Sequence, residues 1–247
     1  APLFCRSSGR SAEVCGRLPP QRVRNWTPVW GHTCPMKVAF RFSVASLVVE
    51  ERREWASFLR TLSKEQWDRP SLCDGWTVRD VVAHAVSYEE AAPLTVAGRF
   101  VRGGLRLSGA NAVALRERGP VPSAVLIDEL ERNLRPRGLT RMFGSRIALL
   151  DALVHNQDIR RPLGLPRAIP AERLVPCLNF ARVAPPIAAY PRIRGLRMTA
   201  TDIDWSAGRG PVVSGPAESL LMAIAGRRTD YDDLAGPGKT TLLSRIG

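Results

Sequence analysis

From Ser43 to Leu62 the stretch SVASLVVEERREWASFLRTL returns apolar side chains at Leu47, Trp55, Phe58, Leu59 and Leu62, close to the period of a helix. It predicts a first helix. A loop, SKEQWDRPSLCDGW, is broken by Pro70 and Gly75, after which Thr77 and Asp80 form a T-x-x-D capping box that starts a second helix carrying His84. Val81 and Tyr88 neighbour His84 on that helix surface. Residues 98–122 are rich in Gly and Arg without a dominant period, so a poorly periodic helix and a loop both fit. Ser123 caps a third helix, AVLIDELERNL, closed by Pro136 and Gly138. LTRMFGSRIALLDALVHNQDI makes a fourth, ended by the RRPLGLP turn. Four helices with short or moderate connections predict an antiparallel bundle.

The pattern changes after Pro166. A helix around AERLVPCLNFARVA precedes LRMTATDIDWSAG and PVVSGP, whose alternation predicts two strands, a hairpin with GRG at its turn. AESLLMAIAGR returns to a helical period. The expected organisation is a helical bundle over residues 36–166 followed by a small α+β domain over residues 167–247: a mainly α chain. Residues 1–35 combine Pro, Gly, Ser and Arg without periodicity and read as a disordered or non-native extension, with Met36 the preferred start of the native protein. His32 and the three cysteines of that stretch would then carry no function.

Composition narrows the picture. The 247 residues are 45% hydrophobic, as in an ordinary globular protein. Apolar runs such as VVAHAV fall well short of the roughly 20 residues of a membrane span. The net charge is +13, and 33 of the 36 basic residues are arginine. That skew fits the codon bias of a GC-rich genome. The arginines are scattered through every segment and not clustered with aromatics, so nucleic-acid binding is not expected. Of five cysteines only Cys73 and Cys177 lie beyond residue 35, with no C-x-x-C spacing, which argues against a disulfide scaffold and for a reducing cytoplasm.

Chemistry concentrates in two places. Asp151 and His155 stand four residues apart on the fourth helix, so both project from one face and can point at one ion. His84, from the second helix, is the third candidate ligand, and bundle cores commonly build metal sites from facing helices. Asp158 either replaces Asp151 as ligand, orients His155 from behind, or pairs with Arg160 or Arg161.

RPSLCDGWTVRDVVAHAV resembles the N-terminal segment of the mycothiol-dependent maleylpyruvate isomerase family, part of the wider DinB-like metal-binding bundles. DALVHNQDIRRPLGLP is similar to that family's later motif, an acid-x-x-x-His pair followed by D-x-x-R-P-L-G. The C-terminal stretch from Thr199 to Arg227 resembles the smaller sterol-carrier-like domain of the same enzymes. The resemblance implies a DinB-like four-helix bundle that holds a divalent metal, usually zinc, on His84, Asp151 and His155. Mycothiol, the small thiol of actinobacteria, would be the cosubstrate, bound as thiolate beside the ion. The implied activity is isomerisation of an unsaturated acid or thiol transfer to an electrophile. Asp151 stands where the family's pattern often has Glu, which bears on affinity and on the choice of metal.

The resemblance also makes Arg227 the candidate catalytic arginine, holding a substrate carboxylate; a solvated arginine is the alternative. Trp76 is expected to pack at the start of the second helix, pocket lining being the other possibility. Cys73 has no base near it in sequence, and the resemblance gives its position no catalytic role. GPGKTT is not a phosphate loop, because Asp233 stands where that motif needs glycine. A competing reading keeps the scaffold without turnover, as a binding or regulatory protein. The distance between His84 and His155 separates the two. Small-molecule thiol and substrate are the expected partners, without a membrane, and the sequence leaves the oligomeric state open.

Overall fold

The computed structural model describes residues 43–229 and 231–246. The expectations for residues 1–35 lie outside the described residues. Four helices form the bundle: α1 (Val44–Leu59), α3 (Val78–Val86), α6 (Ser123–Arg132) and α7 (Arg146–Leu163), with α1 and α3 each packed against both α6 and α7. These are the four helices that the apolar periodicity predicts. The short α2 (Lys64–Trp67) follows α1, and no helix among the described residues is long and apolar enough to cross a membrane.

The capping box forms as expected: the Thr77 hydroxyl accepts from the Asp80 N–H at 3.2 Å, while the Asp80 carboxylate accepts from the Thr77 N–H at 2.9 Å. Elsewhere the boundaries differ. Ser123 is the first residue of α6 and makes no side-chain cap. The segment expected to open the fourth helix instead forms a 3-10 turn, Gly138–Arg141, and then a left-handed stretch at Phe143, Gly144 and Ser145 before α7 begins. At its other end α7 runs through Pro162 to Leu163, past the expected stop, because a proline in the last turn removes a single N–H. That N–H would have reached the Asp158 carbonyl. The carbonyl is satisfied from outside the helix by the Leu72 N–H, at 3.0 Å.

The unassigned stretch folds as two helices, α4 (Pro93–Arg102) and α5 (Leu107–Arg118), packed on each other and, through α5, on α3. Its glycines make the crossing possible: a β-carbon on Gly103 or Gly109 would collide with the other's backbone.

Beyond α8 (Ala171–Ala181) and α9 (Tyr190–Ile193) lies a three-stranded sheet, β1 (Arg197–Ala200), β2 (Ser206–Gly208) and β3 (Val212–Gly215), in the order β2-β1-β3. The expected hairpin is displaced. The first stretch folds back on itself as antiparallel β1 and β2, and β3 joins the other side of β1 in parallel, so the GRG segment crosses over rather than turning a hairpin. Helices α10 (Ala217–Ile224) and α11 (Lys239–Leu243) complete the chain.

Two apolar clusters hold these elements. Trp55, Leu59, Val81, Leu126, Leu130 and Ile159 pack inside the bundle. Leu149 and Leu153 of α7 pack with Leu178 of α8, Met198 of β1 and Leu221 of α10. Helix α7 is therefore covered on both flanks, and its polar residues His155, Asn156, Gln157 and Asp158 are buried with it. Between α1 and the segment 167–173, Glu51 is fully buried and accepts from Arg167 at 2.5 Å and Arg173 at 2.9 Å. Removing one partner of such a cluster strands the others. Glu51→Ala is expected to cost about 3–5 kcal/mol in urea unfolding, against about 1 kcal/mol or less for Glu54→Ala, whose side chain is 39% exposed.

Candidate metal centre

Helix α7 supplies Asp151, His155 and Asp158 from one face, and α3 brings His84 opposite them. The Nε2 atoms of His84 and His155 lie 3.9 and 3.4 Å from the same atom, Asp151 Oδ1. Ligand atoms of all three residues fall within 4.8 Å of one another. The imidazole rings meet edge to face, centroids 5.1 Å apart, and His84 is flanked by Trp76 at 5.0 Å and Tyr88 at 5.7 Å. The distance that would have separated the two histidines is thus short enough for a shared ion. Both are buried, and His84 Nδ1 has no hydrogen-bond partner among the described residues.

The loop before α3 is shaped to this centre. The Trp76 N–H donates to the Cys73 carbonyl at 2.9 Å, closing a turn in which Gly75 takes φ +74°, a conformation that favours glycine. With Leu72 bonded to the Asp158 carbonyl, the turn sets Cys73 and Trp76 against α7. Trp76 fills both expected roles, packing on the bundle core and lining the cleft.

Behind the histidines, Asp158 is fully buried and all its partners are visible. It faces His155 Nδ1 at 2.9 Å, receives Arg227 Nε and Nη2 at 2.7 and 2.8 Å, and accepts from the Cys73 thiol at 3.2 Å. Of the three roles open to it, this environment supports orientation of His155: neither Arg160 nor Arg161 pairs with it, and its oxygens are taken. The bond to His155 Nδ1 leaves Nε2 facing Asp151. Arg227 lies in the cleft wall, as expected of a site arginine, but its bidentate edge is spent on Asp158. Cys73, without a base nearby in sequence, lies 3.8 Å from His155 Nδ1 in space. No local signal marks that contact across 82 positions.

Charge in the centre is finely balanced. Burial, helped by the His155 imidazole, pushes His84 down to about 4, so it is a neutral lone-pair donor at neutral pH. Burial also opposes a charged His155, but Asp151 and Asp158 outweigh it and hold its pKa well above the ordinary value. Burial would raise Asp158, yet the Arg227 guanidinium and His155 keep it at about 2.

The centre lies at the floor of a cleft of about 780 Å³ whose walls include Tyr88, Phe100, Leu107, Leu139 and Ile187. Two histidines and a carboxylate buried at the floor of such a cleft, on facing helices of a four-helix bundle, define a mainly α protein with a two-histidine, one-carboxylate candidate metal centre. Residues 48–138 match the family model of the mycothiol maleylpyruvate isomerase N-terminal domain. The fold is similar to a crystal structure of the mycothiol-dependent maleylpyruvate isomerase, with TM-score 0.53 and 14% identity over 78% of this chain and 91% of that one. It is also similar to the structure of an alanine mutant of such an enzyme, with TM-score 0.52 and 16% identity over the same shares. No curated protein sequence matches the chain. The resemblance to this family read from the sequence is borne out.

The two described cysteines should react very differently. Cys177 is 1% exposed and burial raises its pKa well above the ordinary value, whereas Cys73 is half-buried at the cleft. Iodoacetamide labelling mapped by peptide mass spectrometry is expected to modify Cys73 in the native protein and Cys177 only after unfolding.

Proposed function

We propose that the chain is a metal-dependent, mycothiol-using isomerase or thiol transferase acting on a small electrophilic or unsaturated acid substrate. The observation that carries this reading is the convergence of His84, Asp151 and His155 at the floor of the cleft. The donor set fits a divalent ion such as zinc: two imidazoles and one carboxylate are the ligand types of catalytic sites that keep a position open. Two further features support the fit. Burial holds the His84 pKa at about 4, which favours the neutral form that can donate a lone pair, and its Nε2 faces Asp151. His155 is oriented by Asp158, as ligating histidines usually are by a carboxylate.

A divalent ion held there would favour the thiolate form of a bound thiol, the nucleophilic species. The chain's own residues then do the rest. Asp151 would supply the negative charge that offsets a bound cation, and His84 and His155 would hold it with their ring nitrogens. Trp76 and Tyr88 flank His84 and limit water at the floor. Arg227 holds Asp158 and presents its remaining N–H groups to the cleft, where an anionic group of the substrate would meet it. The relatives named for mycothiol-dependent isomerisation, and the reducing cytoplasm expected from cysteine usage, favour mycothiol as the thiol.

Metal analysis by plasma mass spectrometry on untagged protein tests the reading. About one divalent ion per chain is expected, lost in His84→Ala, His155→Ala double-mutant protein. Asp158→Asn is expected to weaken the metal by roughly 10–100-fold rather than abolish it, read by competition with a chelating dye. No ion in the wild type after reloading would refute the proposal.

A further inference from the structure

The cleft above the candidate centre is mostly apolar, and its apolar side chains are incompletely covered. Leu107, Leu139 and Met142 line it and are 37%, 40% and 48% exposed. They come from α5 and from the turn before α7, with Phe100 of α4 beside them. Of the ten exposed large apolar residues among the described ones, these three share one concavity, and a concave apolar surface is where a ligand finds cover.

The charges that face this cleft are few. Arg227 is committed to Asp158 through two N–H groups. Arg228 is exposed and lines the cleft, and Asp74 lines it too. At the floor, a cation would be offset by Asp151 and by the thiolate it binds. Arg228 and Asp74 carry opposite charges, so among the described residues they leave little net charge to neutralise a second carboxylate on a substrate. A dianion buried here would keep one charge without a partner, which is costly.

We propose, building on the metal- and thiol-dependent reading above, that the substrate is an apolar electrophile, aryl or alkyl, carrying at most one negative charge, and not a small dicarboxylate. An α,β-unsaturated carbonyl compound with an apolar substituent fits this description. The thiolate sulfur bonds to its β-carbon as the double bond's π pair moves to the α-carbon, which takes up the proton the thiol had lost. No oxidant or further reactant is needed. The apolar substituent lies against Phe100, Leu107 and Leu139.

Binding, separate from turnover, tests the proposal. Isothermal titration of zinc-loaded full-length protein would compare 4-nitroanisole, a neutral aryl probe, with maleate, a small dianion. 4-Nitroanisole is expected to saturate one site, with maleate at least about tenfold weaker. Phe100→Asp and Leu107→Asp should each weaken 4-nitroanisole by about tenfold, the equivalent of about 1.4 kcal/mol. Leu139→Asp, on a different segment, stands in if either variant fails to fold by circular dichroism. Tighter binding of maleate, or unchanged 4-nitroanisole binding in the folded variants, would overturn the assignment. The same titrations in His155→Ala protein separate the two proposals. Aryl binding that survives there, in a chain whose wild type takes up no metal, would sink the metal reading and leave the apolar pocket standing. Loss of aryl selectivity in a metal-binding, thiol-consuming wild type would sink only the pocket assignment.

Discussion

A single buried carboxylate, Asp158, joins three parts of the chain that are far apart in sequence. It faces His155 on its own helix, accepts from Cys73 in the loop before α3, and receives a two-point grip from Arg227 beyond α10. Burying an ionised carboxylate is tolerable only because each oxygen is matched by a donor, and Arg227 supplies a full countercharge. Its backbone is used as well. Pro162 cannot donate to the Asp158 carbonyl, and Leu72 takes that acceptor, pinning the loop that carries Cys73 and Trp76. The shape of the centre therefore depends on one residue that stands behind it.

The three residues at the front are balanced in a different way. Burial holds the His84 pKa at about 4, while Asp151 and Asp158, on either side of the His155 ring, hold its pKa well above the ordinary value. A divalent ion bound by His155 would have to displace any proton on the same ring nitrogen. The three candidate ligand groups are already gathered within 4.8 Å of one another.

Much of this was legible in the sequence because it is local. The four bundle helices follow from a 3.6-residue period, the start of α3 from a T-x-x-D box, and the shared face of Asp151 and His155 from a spacing of four. What was not legible depends on contacts across the chain or on backbone conformations that no period encodes. The α4–α5 pair stays open in the sequence because residues 98–122 mix Gly and Arg, and what joins the two helices is a close backbone approach at Gly103 and Gly109. The left-handed turn at residues 143–145 delays α7, and Pro162 fails to end it because the vacated carbonyl finds Leu72. The strand pattern was sound, but alternation does not say which side of β1 the next strand joins. Cys73 looked isolated for the same reason: its histidine and carboxylate are more than 80 positions away.

These two kinds of feature divide the work of the molecule. Residues that build the candidate centre come from α3 and α7, both of which the sequence pattern predicts as helices. Several residues that shape the cleft above it come from α4, α5 and the turn before α7, segments that the pattern leaves open or places differently. The floor of the cleft is thus built on different elements from most of its apolar walls. Apolar walls on less constrained segments can then change what is admitted without disturbing the floor. In this chain they are lined by Phe100, Leu107 and Leu139, while the likeness to the named isomerases lies in the fold and, over residues 48–138, in the sequence of the bundle.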